Sequence, residues 1–428
     1  MGAYTLGVAR TNATDATAPS KKLGGNFYKL WTASAISNFG DGIRLTALPL
    51  LAATLTRDPA LIAGVFFASS APWLLFALHA GALVDRLDRR QTMWSMQVVR
   101  MSLMVVLTAA IIADLGTTTM LVTIYVVSFF LGIGEVLFDN AAQAIMPAVV
   151  RKDQLQVANG RLYAVEEAAN RFAGPPVGSF LFVAAAALPF LFDAASFGVG
   201  ALLIFLMAGS YAPVREAPVG STSIRHEIAE GLRWLWKHRI LRTLAVMTGV
   251  SNLCGSMTFA TFVLFALEIL HLSEWGFGVI MAASAAGGLV GGLVAPRLAR
   301  LFGDGKSFYV ITIAGVITEV VIGVTSSAIV VAVAMISISM GAMWWNVIAV
   351  SLRQSIVPDR LLGRVNSVYR LLAWGTMPLG AALGGVLAKL FGLRSVYFFS
   401  AVVLALLTLY MLPIVSDRTI AEARSEAV

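Results

Sequence analysis

Charge is scarce in this sequence: 13% of its 428 residues are Asp, Glu, Lys or Arg, against 58% hydrophobic ones, and the mean hydropathy is +0.82. So little polar surface excludes an ordinary soluble domain and leaves a chain that lives in lipid. Cysteine is nearly missing as well. Cys254 stands alone, which excludes an internal disulfide and any cysteine metal cluster, and its apolar surroundings give it the character of a small packed residue. The four histidines, His79, His226, His238 and His271, fall at no metal-ligand spacing, and no paired catalytic groups accompany them. A membrane-embedded enzyme is therefore disfavoured, and neither a metal nor a cofactor is expected. There is no G-x-x-x-x-G-K-[ST] loop and no soluble stretch to carry one, which excludes an ATP-driven pump.

Long apolar runs are what the sequence has instead. A helix needs about 20 apolar residues to cross the hydrocarbon core, and about twelve such stretches can be marked, near 27–55, 60–84, 91–113, 118–147, 157–186, 188–212, 241–271, 275–299, 307–326, 328–356, 363–389 and 395–415. The first is too long and too polar for a cleavable signal peptide, so it is expected to remain as the first span. The net charge of +8 is distributed by loop. Arg86, Arg89 and Arg90 follow the second stretch, Arg151 and Lys152 the fourth, Arg297, Arg300 and Lys306 the eighth, and Arg360 and Arg364 the tenth. A further basic group, Arg225, Arg233, Lys237, Arg239 and Arg242, fills the centre of the chain, while the intervening loops are almost free of Lys and Arg. By the positive-inside rule the basic loops and both termini are cytoplasmic. The charge is topological, and nucleic acid is not an expected partner.

The two halves of the chain repeat. "GALVDRLDRR" at 81 returns as "GLVAPRLARL" at 292, aligning Gly81 with Gly292, Arg86 with Arg297 and Arg89 with Arg300, and Pro147 returns as Pro358 at the same offset. Asn159 and Asn366, and the "SN" pairs at Ser37 and Ser251, fall within a few residues of that spacing. Anchors in one order at nearly one spacing indicate two six-helix halves in parallel orientation. The expected organisation is a disordered cytoplasmic tail over 1–25, a six-helix bundle over 26–212 and a cytoplasmic connection with an amphipathic helix over 213–240. A second six-helix bundle over 241–415 and a cytoplasmic tail over 416–428 follow. The fold class is an all-α membrane protein of twelve transmembrane helices.

The stretch at 81–90 resembles the signature of the major facilitator superfamily between its second and third helices, G-x-L-x-D-R-x-G-R-R. Gly81, Leu83, Asp85, Arg86, Arg89 and Arg90 match, and Asp88 stands where the family prefers glycine. The resemblance covers essentially the whole chain. "SNFGDGI" in the first span, "LFDNAAQAIMPAVV" with "VANGR" around the fourth and fifth, and the amphipathic "EGLRWLWKHRILR" are similar to the branch of macrolide efflux pumps and the enterobactin exporter. The resemblance implies transport by alternating access with the first, fourth, seventh and tenth helices around a central cavity. Gly81 permits a close backbone approach, and Asp85 can face the positive N-terminal end of the eleventh span near Gly363. On this reading Gly81, Asp85, Arg86, Arg89 and Arg90 form a conformational latch, and on the plainer one the charges only anchor the loop.

Ionisable groups inside the spans are costly at the bilayer centre, by about 2.5–3.5 kcal/mol on insertion scales, and so call for a partner or a task. Asp41 and Arg44 share a face of the first span, Glu135 and Asp139 lie one turn apart in the fourth, and Glu166, Glu167, Asn170 and Arg171 crowd the fifth. Arg100 in the third span falls at the depth of Asp139 at about 1.5 Å per residue. Arg100 with Asp139 and Glu167 with Arg171 are thus candidate buried pairs. Asp41, Glu135, Glu166 and Glu167 are the candidate proton-coupling acids, because a desolvated carboxyl can bind and release a proton. The second half holds fewer charges, chiefly Glu319 and Arg370, and the resemblance places Glu319 on a peripheral helix. No Arg or Lys lies between Thr118 and Val150, so the family's antiporter arginine in the fourth helix has no counterpart.

"RFAGPPVGSF" resembles the G-P-x-x-G-G antiporter motif in Gly174, Pro175 and Gly178, with Ser179 for the last glycine; the alternative is an ordinary kinked helix. Candidate substrate-cavity residues are Arg44, Asn170, Asn252, Trp344, Trp345, Asn346 and Trp374, since flat aromatic faces with a few polar groups suit bulky amphipathic or cationic molecules. Adjacent Trp344 and Trp345 point about 100° apart, so only one faces a cavity squarely. The function expected is a proton-coupled exporter of small amphipathic molecules such as drugs, siderophores or secondary metabolites. An importer or lipid flippase on the same fold, and a non-transporting receptor or scaffold, remain open alternatives. The expected partners are a small-molecule substrate, protons and the lipid bilayer. The chain is expected to act as a monomer in the plasma (inner) membrane.

Overall fold

The computed structural model describes residues 23–84, 86–209, 211–212 and 224–426. Apolar runs fold into helices in lipid because each backbone polar group must be satisfied within its own segment. The helices, in chain order, are α1 (Gly25–Leu55), α2 (Pro59–Val84), α3 (Arg89–Ile112), α4 (Thr117–Val149), α5 (Leu155–Glu167), α6 (Gly174–Ala184) and α7 (Leu188–Phe205). After the connection come α8 (Ile224–Lys237), α9 (Arg239–Leu264), α10 (Glu274–Phe302), α11 (Asp304–Val324) and α12 (Ala328–Ile356). The chain closes with α13 (Asp359–Gly375), α14 (Met377–Phe391), α15 (Leu393–Met411) and α16 (Asp417–Glu426). A π-turn over Ala168–Ala173 joins α5 to α6, and a second over Phe265–Ile269 extends α9. Counting α5–α6 and α13–α14 as one span each, with α8 and α16 outside the bilayer, gives twelve spans in two halves, α1–α7 and α9–α15. Ten of the spans are long and apolar enough to cross a membrane on length and composition alone; the other two are the more polar α1 and the interrupted α5–α6.

Helix pairing repeats between the halves. In the first, α2 packs on α4, α3 on α7 and α1 on α7; in the second, α10 packs on α12, α11 on α15 and α9 on α15. These are equivalent pairs, as a parallel duplication requires. Tight corners close the spans. Gly303 between α10 and α11 and Gly392 between α14 and α15 sit at φ +84° and +85°, where a side chain would be strained. Asp88 caps α3 by accepting from the Gln91 amide at 2.9 Å, and Ser273 caps α10 by accepting from Gly276 at 3.2 Å.

The end of the bundle that holds the start of α1 and all of α16 is called here the tail end, and the opposite one the far end. The halves meet from mid-bundle to the far end. Trp73 crosses Trp374 edge-on at 4.8 Å near the middle, Phe66 meets Phe259 at 5.3 Å above it, and Phe180 meets Trp275 at 6.1 Å. Gly385 of α14 lies so close to Pro59, Ala60 and Ala63 of α2 that a Cβ there would fall 2.7 Å from that of Ala63. Gly278 of α10 fits against Pro175 and Ser179 of α6 in the same way. Among the described residues the ion pairs that join the halves, Lys389 with Asp58 and Arg57 with Glu268, lie at the far end; the region between the halves toward the tail end is called the cleft.

The structure adds detail at both tails. Leu23, within the segment expected to be disordered, is buried against the start of the first bundle; the tail up to residue 22 lies outside the described residues, as does 213–223 of the connection. The C-terminal segment is a docked helix. Ile420 and Ala423, three apart on one face of α16, are buried, Asp417 accepts from the Gly305 amide at 2.7 Å, and Arg424 pairs with Asp304 at 2.7 Å. Three apolar residues in ten, Ile420, Ala421 and Ala423, are too few to read as a packed helix from composition.

Candidate functional site

The charged residues of the first half converge on one chain of ion pairs. Arg44 of α1 donates to Asp41 at 2.5 Å and to Asp193 of α7 at 3.0 Å, and Arg100 of α3 donates to Asp41 at 2.7 Å. Asp193, Arg44, Asp41 and Arg100 thus alternate in sign. Arg100 is 2% exposed and lies 4.1 Å over the Phe197 ring, and Asp193 is fully buried. Small residues allow this approach: Gly40 sits against Asp193 and Ser196, and Gly134 against the Arg100 stem.

The expected pairing of Arg100 with Asp139 is corrected by this geometry. Arg100 takes Asp41 instead, because its stem runs past Gly134 of α4, where the missing side chain lets the guanidinium reach α1. Asp193 is a site residue that the sequence reading missed; a lone acid in the apolar run "LPFLFDAASF" was the available signal. The pairing of Asp41 with Arg44 is present, and so is that of Glu167 with Arg171 at 3.4 Å. Arg171 is largely exposed, however, so that pair is not buried and is a weak tie.

Two acids of α4 are left over. Glu135 and Asp139 are half-buried, lie within electrostatic reach of Arg100, and have no ion-pair partner among the described residues. Glu166 of α5 adds a third acid near Asp139. Across the cleft, Arg370 of α13 lies 4.6 Å over Trp374 and within electrostatic reach of Asp139. Asn170 donates to Asn38 at 3.4 Å, so it lies where the first π-turn meets α1.

The second half supplies aromatic surface. Trp344 is buried against Phe302, whereas Trp345 is half-buried and donates from Nε1 to Thr248 of α9 at 3.0 Å. Trp345 is therefore the one of the pair that turns toward α9. Thr248 also meets Tyr369 at 2.5 Å, Arg353 lies 4.1 Å over the Tyr369 ring, and Arg353 donates to Asn366 at 2.6 Å. This polar chain ties α9, α12 and α13, and none of Thr248, Tyr369 and Arg353 was singled out from sequence. Asn252 donates to the Ala373 carbonyl at 2.7 Å, a helix-to-helix tie. Asn346 is exposed, and Trp374 is partly exposed between Trp73 and Arg370.

The glycines of "RFAGPPVGSF" serve close packing. Gly174 abuts Gly42 of α1, Gly178 abuts the Ile43 carbonyl, and Thr46 donates to the Pro175 carbonyl at 3.0 Å. A π-turn precedes Gly174, and the following turn, with Ser179, meets Gly278 of the other half. At 81–90, Gly81 lies in α2 and Asp85 falls outside the described residues. Arg90 donates to the carbonyls of Ile204, Phe205 and Gly209, at 3.3, 2.5 and 3.2 Å, so it closes the end of α7 in its own half. Arg89 donates its backbone amide to Tyr211 at 3.5 Å, and Arg86 is exposed.

At the far end two ion pairs that the sequence reading did not find bridge the halves. Lys389 of α14 donates to Asp58, between α1 and α2, at 2.6 Å, and Arg57 faces Glu268 of the second π-turn at 3.9 Å. The Lys389 ammonium holds the Asp58 carboxyl below the usual carboxylate range, helped by the Ala60 amide.

Comparison with known proteins fits this arrangement. Residues 16–426 match the family described as transmembrane secretion effector, a major facilitator group. The chain is 28% identical over 384 residues to the multidrug efflux pump Tap of Mycolicibacterium fortuitum, covering 85% of this chain and 90% of that one. Its identity to Tap of Mycobacterium tuberculosis (strain ATCC 25618 / H37Rv) is 25%, over 85% of this chain and 87% of that one. Among solved structures, a bacterial homologue of the iron transporter ferroportin in its inward-facing state superposes with a TM-score of 0.72 at 15% identity, over 94% of this chain and 98% of that one. The nucleoside transporter NupG superposes at 0.72 with 12% identity, over 91% and 99%; both likenesses speak for the fold alone. With a repeated six-helix architecture and a family match along nearly its whole length, this chain belongs to the transmembrane secretion effector family of major facilitator transporters.

Proposed function

We propose that the chain is a proton-coupled exporter of bulky amphipathic or cationic molecules, acting as a monomer in the plasma membrane with both termini cytoplasmic. The observation that carries this reading is the surplus of acid in the first half. Both of its deeply buried arginines are taken by Asp41 and Asp193, and Glu135 and Asp139 remain on α4 without partners. A carboxyl at the edge of such a cleft binds a proton from one side, or the positive charge of a substrate from the other. Proton and substrate then compete for the same acids, and each favours a different orientation of the halves. Trp345 and Trp374 offer the flat surface that a lipophilic cation needs. The relation to Tap supports export over import.

In this reading the tail end is cytoplasmic, the far-end ion pairs between the halves belong to the inward-facing state, and the charges at 81–90 latch the tail end when it closes. The test uses inverted membrane vesicles and ethidium as the probe. Ethidium should accumulate when an inward-acid gradient is imposed and stop when the gradient is collapsed. Accumulation indifferent to the gradient, or movement in the opposite direction only, would overturn the reading. A reporter fused after Val428 that is active only outside the cell would overturn the topology.

A further inference from the structure

Three buried polar groups meet in the second half, well away from the cleft. Glu319 of α11 is 5% exposed and faces α15, where Tyr397 and Ser400 lie one turn apart and are also buried. Ser400 stands beside the carboxyl, with Tyr397 and the Cys254 thiol of α9 within its electrostatic reach. By geometry Glu319 Oε2 and the Tyr397 hydroxyl have no hydrogen-bond partner, and the Ser400 hydroxyl, within reach of the carboxyl and the Cys254 thiol, is not aligned on either. Among the described residues no Arg, Lys or His pairs with Glu319; α10 and α12, also packed on α11, bring no charge to it. This sets it apart from Asp41 and Asp193, which are paired, and from Glu135 and Asp139, which are half-exposed.

An ionised carboxylate buried without a cation is among the costliest groups a protein can hold, whereas a neutral acid is both a donor and an acceptor and suits two hydroxyl neighbours. The packing of α9, α11 and α15 at this point therefore goes with a proton on Glu319. The cluster also touches the far-end closure. The Tyr397 ring lies 4.8 Å from that of Phe265, the first residue of the second π-turn, and the same turn carries Glu268, which faces Arg57 across the halves. A π-turn holds one extra residue in the helix and is a common place for a helix to reset.

We propose that Glu319, with Tyr397 and Ser400, is a proton-binding site in the second half that controls closure of the far end. With the proton bound, α11 and α15 pack on α9 and Tyr397 holds the Phe265 turn so that Glu268 meets Arg57. When the proton leaves, the carboxylate requires water, the packing loosens and the far end opens. The site is distinct from the substrate-facing acids of α4, and it rests on the reading of the protein as an alternating-access transporter driven by protons.

The test places spin labels at Thr118→Cys and Leu390→Cys, one on each half at the far end, in a Cys254→Ala background in lipid nanodiscs. The label separation is followed from mildly acidic to mildly alkaline pH. The parent should move from a short to a long separation as pH rises. Glu319→Gln should stay short throughout, and Asp58→Asn, whose carboxyl is held below the usual range, should keep the parent's response. A Glu319→Gln protein that responds like the parent, or an Asp58→Asn protein that alone loses the response, overturns the proposal. Should Glu319→Gln fail to fold, Tyr397→Phe keeps the acid and the ring contact but removes the hydroxyl, and it must shift the pH midpoint; an unmoved midpoint overturns the proposal equally. A parent that moves with ethidium but not with pH removes this site alone, while a parent that moves with neither removes alternating access and this proposal together.

Discussion

Asp193→Asn tests the ion-pair chain most directly, because it deletes one charge from a group with no solvent contact and hardly changes its volume. In the parent, Asp193, Arg44, Asp41 and Arg100 sum to zero. The substitution leaves two guanidinium ions sharing one carboxylate. Removing one member of a buried pair costs about 3–5 kcal/mol, and Arg44 keeps Asp41 at 2.5 Å, so the lower end applies. A loss of about 3 kcal/mol is roughly a hundredfold in an equilibrium. The assay is the fraction of protein that stays monodisperse in detergent after heating, since a chain of this size does not unfold in two states. Adding Arg44→Gln should restore part of the loss, because Asp41 and Arg100 then remain as a balanced pair and the neutral side chains at 44 and 193 can still hydrogen-bond. The double variant is expected to resist heat better than either single one. Losses that simply add, or an Asp193→Asn protein as robust as the parent, would refute the reasoning.

Glu135→Gln should reach the membrane in parental amounts yet lose gradient-driven ethidium efflux, while Asp41→Asn, which strips a partner from both arginines, should lower abundance first; the reverse ordering in immunoblots and efflux traces would count against the assignment. Lys389→Gln should shift the far-end closed-to-open ratio by about 1.4–5-fold, as expected for an exposed pair worth about 0.2–1 kcal/mol, read from the same label separations. Because Lys389 depresses the Asp58 carboxyl, that pair contributes fully above the ordinary Asp value of 3.8 and is lost only as pH falls through the lowered one. Asp58→Asn should therefore leave any response between neutral and mildly acidic pH intact, and a response abolished by it would be the contrary result. Gly178→Leu should reduce folded protein by an overpacking cost of about 1–3 kcal/mol, since even a Cβ there would lie 2.6 Å from Thr46 Oγ1. Gly363→Ala, with nothing within 4 Å, serves as the control in the same thermal assay.

Much of the fold was legible because lipid imposes a simple rule, apolar length, and because duplication left Gly81 and Gly292, or Pro147 and Pro358, in register. The partners of buried charges were less legible. Arg44 with Asp41 is local, three residues apart, and so could be read; Arg44 with Asp193 joins positions 149 apart in sequence, and no periodicity encodes it. Depth along the bundle placed Arg100 level with Asp139 but could not say which neighbour α3 faces, and rotation about the helix axis decided for Asp41. The far-end pairs escaped notice because Asp58 and Lys389 look like ordinary loop and helix-end charges until α2 and α14 are placed side by side. The π-turns at Ala168–Ala173 and Phe265–Ile269 leave no compositional mark.

The magnitudes explain why such a bundle can rock without unfolding. Inside the first half, Asp193, Arg44, Asp41 and Arg100 are locked at about 3–5 kcal/mol for each broken pair. In the second half, Thr248, Tyr369, Arg353 and Asn366 tie three helices together, and the loss of one hydrogen bond there costs about 1 kcal/mol or more. Between the halves the ionic contacts are exposed, Lys389 with Asp58 and Arg57 with Glu268, at about 0.2–1 kcal/mol each, and the rest is apolar packing, the aromatic pairs Trp73–Trp374, Phe66–Phe259 and Phe180–Trp275 with the glycine contacts at Gly385 and Gly278, that can separate without stranding a charge. A substrate or proton therefore needs to supply only enough differential binding to offset the weak seam. The strong pairs move as parts of rigid bodies. It follows that variants within the first-half chain should act on abundance, and variants at the seam on the balance of states. An acid such as Glu319, buried inside one half yet connected to the seam through Tyr397 and the Phe265 turn, is placed to do the second while resembling the first.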